Sequence, residues 1–234
     1  MNYFARLADD LITLLFPRLC NACGINLVRN EKLICTECLI SIPRTGFEKE
    51  RDNFVEKLFW GRCRIERAAS FAWYVKGGRM SRLIYRFKYD GNRDLGFELG
   101  RLYGIDLLES GFLTGIDCII PVPLHRRKER KRGFNQSQVI AEGIASVSDI
   151  RIICGNLVRK NLTDTQTVRS RIERWGNVEG IFTMTDAGEL KDLHVLLVDD
   201  VITTGSTIDA CATALSAVEG IRVSAVSLAV APGL

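Results

Sequence analysis

Residues 195–207 read VLLVDDVITTGST, and this stretch decides the fold. Its first four residues are apolar without polar alternation, which predicts a strand covered on both faces, as in a parallel sheet. Asp199 and Asp200 end that strand, and a short loop of hydroxyl residues and glycine follows. An apolar stripe beyond the loop predicts a helix. The stretch therefore predicts a strand-to-helix junction at the carboxyl end of a strand, where ligands bind in open α/β sheets.

The loop at this junction has the composition of a phosphate site. The free backbone N–H groups and the positive dipole end of a starting helix favour an anion. Gly205 allows a positive φ and a close approach of the backbone. Ser206 and Asp209 fit a capping box, which supports a helix start here. The hydroxyl side chains that can add donors are Thr203, Thr204, Ser206 and Thr207. We expect a phosphate monoester to be held mostly by neutral donors.

The adjacent acids Asp199 and Asp200 are the second half of this candidate site. Neighbouring carboxylates repel each other, so the pair needs a compensating partner. Carboxylates accept hydrogen bonds from vicinal diols and can lie near Mg²⁺. A ribose that carries a 5-phosphate supplies both a diol and a phosphate. The alternative is an acidic strand end followed by an ordinary helix cap.

A basic segment follows another predicted strand. The sequence passes from Pro121-Val122-Pro123-Leu124-His125 into RRKERKR at 126–132 and then into Gly133-Phe134-Asn135-Gln136. Pyrophosphate requires concentrated positive charge and backbone donors, which a strand–loop–helix corner supplies. The residues expected to contact the anion are Arg132, Gly133, Asn135 and Gln136. The alternatives are a solvated basic helix or loop, and a surface for the backbone of a nucleic acid.

Four cysteines form two CxxC pairs, Cys20 with Cys23 and Cys35 with Cys38. Each pair can present two thiolates to one metal, and two pairs complete a closed tetrahedral zinc site. Zinc would supply folding energy that so small a module cannot gain from its own core. Disulfides and an iron or iron–sulfur centre are the competing interpretations. A closed site predicts a role in structure or partner docking, with no part in catalysis.

Length, composition and charge limit the number of domains and the class of ligand. The chain has 234 residues, of which 47% are hydrophobic, enough for one ordinary domain and a small appendage. Its net charge of +4 favours anionic ligands without naming one. We find no secretory signal and no stretch long enough to span a membrane, so we expect a cytoplasmic protein.

The expected organisation has three parts: an N-terminal helix and zinc-binding module at 1–46, a connector at 47–67, and an α/β domain at 68–234. The predicted strands are Ala68–Val75, Asp117–Val122, Ile150–Cys154 or Asn156–Arg159, Val195–Val198 and Val223–Val230, and the predicted helices are Arg79–Tyr89, Arg93–Glu109, Asn135–Ala145 and Thr207–Val218. Strands that alternate with helices favour a mostly parallel sheet.

Two resemblances follow from these residues. Residues 195–207 resemble the binding motif for 5-phosphoribosyl 1-pyrophosphate (PRPP) in type I phosphoribosyltransferases: four apolar residues, two acids, two apolar residues and Thr-Thr-Gly-x-Thr. Together with the CxxC pairs, FKYDGN at 87–92, PVPLH at 121–125 and RGFNQ at 132–136, the chain resembles the ComF family of competence-associated proteins over about residues 17–232. Gln166, Arg174 and Asn177 also match that family's pattern.

The resemblance implies a type I phosphoribosyltransferase-like fold, a mostly parallel sheet flanked by helices, with a small N-terminal four-cysteine zinc module. It implies that Asp199 and Asp200 contact the ribose hydroxyls and that Thr203–Thr207 surround the 5-phosphate of Mg²⁺-bound PRPP. Asp199, Asp200 and Arg174 are then the expected catalytic residues, and residues 159–177 an expected flap. The family's link to DNA uptake implies single-stranded DNA or competence proteins as partners.

Two functional hypotheses result, and a third, a purely structural adaptor, leaves the acid pair unexplained. The first is a PRPP-dependent transferase acting on a nitrogenous acceptor. Because the chain carries no glutaminase portion, we do not expect a complete glutamine-dependent amidotransferase. The second is a nucleic-acid-binding competence factor that uses the phosphoribosyl pocket for sensing or for a DNA end.

Overall fold

The computed structural model describes residues 17–159 and 181–232. The expected N-terminal helix, most of the expected flap and Arg174 lie outside the described residues, as do Gln166 and Asn177.

Four parallel strands form the central sheet in the order β1-β6-β5-β2. The strands are β1 (Ala68–Trp73), β2 (Cys118–Pro121), β5 (His194–Ile202) and β6 (Arg222–Val230). A parallel bridge between Ile119 and Ile152 extends the sheet beyond β2. Val195 to Val198 are completely buried, which confirms a central strand covered on both faces. A separate antiparallel hairpin joins β3 (Leu157–Arg159) to β4 (Phe182–Met184).

Helices flank the sheet. They are α1 (Thr36–Ile40), α2 (Phe54–Lys57), α3 (Arg79–Tyr89), α4 (Arg93–Glu109), α5 (Arg126–Arg132), α6 (Gln136–Ser148) and α7 (Ser206–Leu215). The longest two, α4 and α6, pack closely because glycines face the neighbouring backbone. A Cβ on Gly100 would lie 2.4 Å from the Ile140 carbonyl oxygen. The expected bounds of α3 and α4 are confirmed.

The segment at 47–67 packs against the domain. The rings of Phe47 and Phe54 lie 5.4 Å and 5.5 Å from the ring of Trp73, at the end of β1. The Asn53 side chain caps α2 through the Val55 N–H and donates to the Ala68 carbonyl at 2.8 Å. These contacts bring the end of the segment to the junction after β5.

Two details differ from the sequence prediction. β5 continues to Ile202, so Asp199 and Asp200 lie within the strand and do not end it. The reason is that β6 is equally long and continues to pair with β5, with Asp199 opposite Ser227. The basic run is a short helix, α5, because His125 caps its start and Gly133, at φ 83°, ends it. A solvated basic helix and a solvated basic loop were both considered for this segment, and the structure has the helix.

Candidate functional site

The acid pair projects beyond the neighbouring strand. β2 pairs with β5 only as far as Val198, so the two acids follow the last paired position on that side. Asp199 is partly buried, and its Oδ1 accepts hydrogen bonds from the Ser137 hydroxyl at 3.2 Å and the Asp200 N–H at 2.8 Å. Burial raises the pKa of Asp199 to about 7, and the adjacent Asp200 charge adds to the rise.

A lysine from another helix compensates the pair. The Lys88 ammonium in the last turn of α3 lies 2.8 Å from Asp200 Oδ2, and both side chains are mostly buried, at 17% and 15% exposure. The positive charge also lowers the pKa of Asp199, although less than burial raises it. Lys88 belongs to the FKYDGN segment at 87–92, and the structure places it at the acids.

The turn after the acids exposes its hydroxyl groups to solvent. Gly205 is buried at φ 75°, and α7 begins at the next residue, Ser206. The side chains of Thr203, Thr204, Ser206 and Thr207 are exposed. The Thr204 and Ser206 hydroxyls share one hydrogen bond of 2.9 Å. The geometry thus presents hydroxyls and the free N–H groups of a helix start together.

The expected capping box is wrong. The N-cap residue of α7 is Gly205, which has no side chain to cap the helix, and the Ser206 N–H donates to the Thr204 hydroxyl at 3.4 Å. Asp209 instead pairs with Arg62, whose Nη2 lies 2.8 Å from Asp209 Oδ2. Arg62, which is distant in sequence, therefore pairs with the carboxylate that was expected to cap the helix.

A cavity of about 360 Å³ opens between the turn and α3. Asp200, Val201 and Thr203 line one side, and Tyr85, Lys88 and Tyr89 line the other. A second cavity of about 560 Å³ lies between α3 and residues 21–24 of the cysteine module, and it shares Tyr74 and Tyr85 with the first. Asp200 therefore faces a groove that leads toward the module.

The basic segment at 126–136 contacts the region of the acid pair through α3. The Arg132 guanidinium lies 5.5 Å from the centre of the Tyr89 ring, and the rings of Phe87 and Phe134 stack at 5.6 Å. Arg132 also donates to the Gln136 side chain at 2.7 Å. The Tyr89 ring, which lines the cavity, thus lies between Arg132 and that cavity.

The other expected anion contacts have internal roles. Asn135 caps α6 by accepting from the Ser137 N–H at 3.0 Å and donates to the Val122 carbonyl at 3.1 Å. Gln136 is buried, and Gly133 ends α5. The remaining cations of α5, residues 126–131, are exposed to solvent.

The four cysteines lie together. One sulfur from each of Cys20, Cys23, Cys35 and Cys38 is within 4.8 Å of every other, and Cys23 and Cys35 are 3.7 Å apart. A tetrahedron with metal–sulfur bonds of about 2.3 Å has edges of about 3.8 Å, so the cluster fits one zinc ion.

Hydrogen bonds to the Cys20 sulfur favour its thiolate. Cys20 Sγ accepts from the Cys35 N–H at 3.3 Å and the Ala22 N–H at 3.4 Å. Burial raises the pKa of Cys20, but these and the Cys23 N–H outweigh it and lower the pKa to about 6. Burial beside the other sulfurs raises the pKa of Cys38 to about 12, so that this thiol needs a bound cation to lose its proton. The cluster is compatible with structural zinc.

The sheet order, the acid pair near the carboxyl end of a central strand and the glycine turn at a helix start define a phosphoribosyltransferase-like domain, here with a four-cysteine module. A model of the phosphoribosyl transferase domain matches residues 131–232. Within the described residues, no helix combines the length and apolar composition needed to cross a bilayer.

Several curated proteins are similar to the chain. DNA utilization protein YhgH of Escherichia coli O6:H1 is 29% identical over 198 residues, 81% of this chain and 80% of that protein. Competence protein F of Haemophilus influenzae is 33% identical over 134 residues, 56% of this chain and 58% of its own. Competence protein ComFC of Bacillus subtilis is 27% identical over 150 residues, 61% and 55% of the two chains. The domain model and these relatives together support the ComF family for this chain.

Solved structures match over part of the chain. A glutamine PRPP amidotransferase from B. subtilis superimposes with a TM-score of 0.41 at 15% identity, over 61% of this chain and 30% of that one. An adenine phosphoribosyltransferase from Thermoanaerobacter pseudethanolicus gives a TM-score of 0.34 at 16% identity, over 55% and 79%. The fold assignment therefore depends on the domain model and the observed sheet.

Sequence reasoning missed two contributors to this region. Arg62 lies in the connector, 147 positions before Asp209, and no local pattern marks it. Tyr85 and Tyr89 are one helical turn apart, and both are more than half exposed, at 59% and 58%. The i, i+4 spacing of two tyrosines was the available signal, but spacing alone does not tell an exposed helix face from a buried one.

Proposed function

We propose that this protein binds PRPP, or a related ribose 5-phosphate compound, at the junction between β5 and α7. The observation that carries the proposal is the acid pair followed closely by a glycine turn and a helix start, with Asp200 and Thr203 lining one cavity. Asp199 and Asp200 would accept hydrogen bonds from the ribose diol, and Thr203 to Thr207 would surround the 5-phosphate.

We further propose transfer of the phosphoribosyl group to a nitrogenous acceptor. The bond between the anomeric carbon and pyrophosphate breaks, a bond to the acceptor nitrogen forms, and the acceptor loses a proton. Positive charge develops on the sugar, as in other glycosyl displacements, and the partly buried acids lie where they would stabilise it. Arg132 and Arg174 are the proposed partners of the departing pyrophosphate. Mg²⁺ bound with PRPP would neutralise the phosphates, with Asp200 the nearest proposed ligand.

Calorimetric titration with PRPP, with and without Mg²⁺, tests the binding proposal. Asp200→Asn should weaken PRPP binding by about tenfold or more, because a charge-assisted hydrogen bond contributes roughly 1.5–3 kcal/mol. Glu219→Gln is the matched control, since Glu219 pairs with Lys191 at 2.8 Å on the surface, outside the residues that line the cavity. Wild-type protein that does not bind PRPP at millimolar concentration would contradict the proposal. Pyrophosphate release on adding candidate amines tests the transfer step.

A second candidate function is binding of single-stranded nucleic acid. Six of the seven residues of α5 are cationic, and none is buried. The rings of Tyr85 and Tyr89 lie 4.9 Å apart and tilted by 42° on the exposed side of α3, and Arg132 lies over the second ring. Exposed aromatic rings beside a cationic surface are the usual means of binding single strands without sequence preference. The names of the relatives refer to competence and DNA utilization, and we propose a role of this chain in DNA uptake, with competence proteins as partners, in the cytoplasm.

Anisotropy of a labelled single-stranded oligonucleotide tests this second function. Reversing charge in Arg126→Glu/Arg130→Glu should weaken binding and reduce its salt dependence, because fewer counterions are released. Arg222→Glu is the control, since Arg222 is an exposed cation at the start of β6, the opposite end of the strand from the carboxyl ends that the candidate site follows. Tyr89→Ala should weaken binding, and Tyr89→Phe should retain it. Loss of oligonucleotide binding with PRPP binding intact would separate the two functions.

A further inference from the structure

The end of the connector lies directly behind the phosphate turn. Arg62 Nη1 donates to the Thr204 carbonyl at 2.8 Å and to the Leu58 carbonyl at 3.2 Å. Its Nε and Nη2 donate to Asp209 Oδ2 at 3.2 Å and 2.8 Å. One guanidinium therefore joins the connector to both the turn and the first turn of α7.

The contact with the Thr204 carbonyl orients the turn. The peptide between Thr204 and Gly205 is trans, so the Gly205 N–H points away from the carbonyl that Arg62 binds. Within residues 17–159 and 181–232, that N–H has no hydrogen-bond partner. An arginine behind the turn thus directs a backbone donor to the side away from itself.

The contact with Asp209 removes a competitor. A carboxylate in the first turn of a helix can accept hydrogen bonds from the free N–H groups and would repel a bound phosphate. Here the carboxylate pairs with Arg62 instead, and Gly205, the N-cap residue of α7, has no side chain. Among the described residues, the N–H groups of Gly205, Thr207 and Ile208 consequently have no partner, while the Ser206 N–H donates to the Thr204 hydroxyl at 3.4 Å.

The position of Phe59 agrees with this arrangement. Its ring is buried, and a Cβ on Gly205 would lie 2.9 Å from it. The connector therefore packs against the turn from behind, through an aromatic ring as well as a guanidinium.

From these contacts we propose that Arg62 is a positioning residue for the phosphate turn: it orients the Thr204–Gly205 peptide and draws Asp209 away from the helix start. The inference rests on the proposed binding of a ribose 5-phosphate group. It assigns a role in ligand affinity to a segment that lies outside the residues matched by the phosphoribosyl transferase domain model.

The test compares affinities for PRPP and for inorganic pyrophosphate in Arg62→Ala, Arg62→Lys and Arg62→Ala/Asp209→Ala. Arg62→Ala should weaken PRPP binding about tenfold, the equivalent of one charge-assisted interaction, and leave pyrophosphate binding unchanged. Removing Asp209 as well should raise PRPP affinity about threefold above that of Arg62→Ala, because no released carboxylate then competes for the amides. Arg64→Ala is the control, since Arg64 is 90% exposed and pairs with Glu66 at 3.4 Å.

Arg62→Lys covers the case in which the alanine variant does not fold. Lysine keeps the charge beside Asp209 but lacks the planar fork that reaches two acceptors, so binding should weaken about threefold. Unchanged PRPP affinity in Arg62→Ala or in a folded Arg62→Lys, or a double variant as weak as the single one, would overturn the role of Arg62 while leaving PRPP binding in place. A wild-type protein that binds neither PRPP nor ribose 5-phosphate would overturn both proposals.

Discussion

Lys88 Nζ lies 2.8 Å from Asp200 Oδ2, and this contact joins the end of helix α3 to the end of strand β5. The two residues are 112 positions apart in the chain, and both side chains are mostly buried. The pair offsets part of the repulsion between two adjacent carboxylates, and it places a cation at the edge of the cavity.

Replacing Lys88 should weaken ligand binding. In Lys88→Met, the pKa of Asp199 should rise further because a compensating charge is lost, and the site should become less attractive to an anion. We expect PRPP affinity to fall about tenfold, as for one lost ion pair in a buried site, while Lys88→Arg retains most of it. Calorimetry measures both, with Lys191→Met as the control at an exposed pair. Equal or tighter binding by Lys88→Met would contradict the assigned role.

Asp199 should reduce stability at neutral and alkaline pH. Burial raises its pKa from the ordinary 3.8 to about 7, so between these values the folded state holds a proton that the unfolded state has released. The contribution of Asp199 to stability is therefore fully present below pH 3.8 and is lost as the pH rises through about 7. Asp199→Asn should raise the midpoint of thermal unfolding at pH above about 7 and have little effect near pH 4. A stabilisation that is largest in acid would contradict this assignment.

Gly205→Ala should disturb both stability and binding. A residue with a side chain at φ 75° is strained by about 1–2 kcal/mol, and its Cβ would also meet the Phe59 ring at 2.9 Å. Gly115→Ala isolates the strain, because Gly115 has φ 78° and no atom within 4 Å of the added Cβ. Chemical denaturation should show a larger loss for Gly205→Ala, by about 1 kcal/mol or more. Equal losses would mean that Phe59 moves aside without cost.

The four-cysteine cluster should bind one zinc ion per chain. Cys38→Ser removes a buried ligand, so the purified variant should contain less than about half the zinc and unfold at lower temperature, since structural zinc contributes folding energy directly. Cys154→Ser is the matched control, because Cys154 is an exposed thiol outside the cluster. Elemental analysis after dialysis gives the metal content. Full zinc occupancy in Cys38→Ser would contradict a closed four-cysteine site.

Much of the fold could be predicted because it depends on local pattern. The apolar face of α3 and the turn between α3 and α4 fixed both helices at their observed bounds. The run at 195–198 specified a buried strand because residues covered on both faces cannot alternate. The spacing of the two CxxC pairs was enough to predict one cluster, since each tight turn brings its own two sulfurs together.

The sequence by itself determined which residues can form the candidate site: two acids, a glycine, hydroxyls and four cysteines at fixed short spacings. Only the tertiary structure decided their partners. Asp200 pairs with Lys88, Asp209 with Arg62 in place of a helix cap, and Asp199 stays within the strand because β6 continues beside it. Pairing between distant segments depends on how the helices pack around the sheet, and a carboxylate has several competing local and distant partners of similar energy, so that short-range pattern cannot select among them.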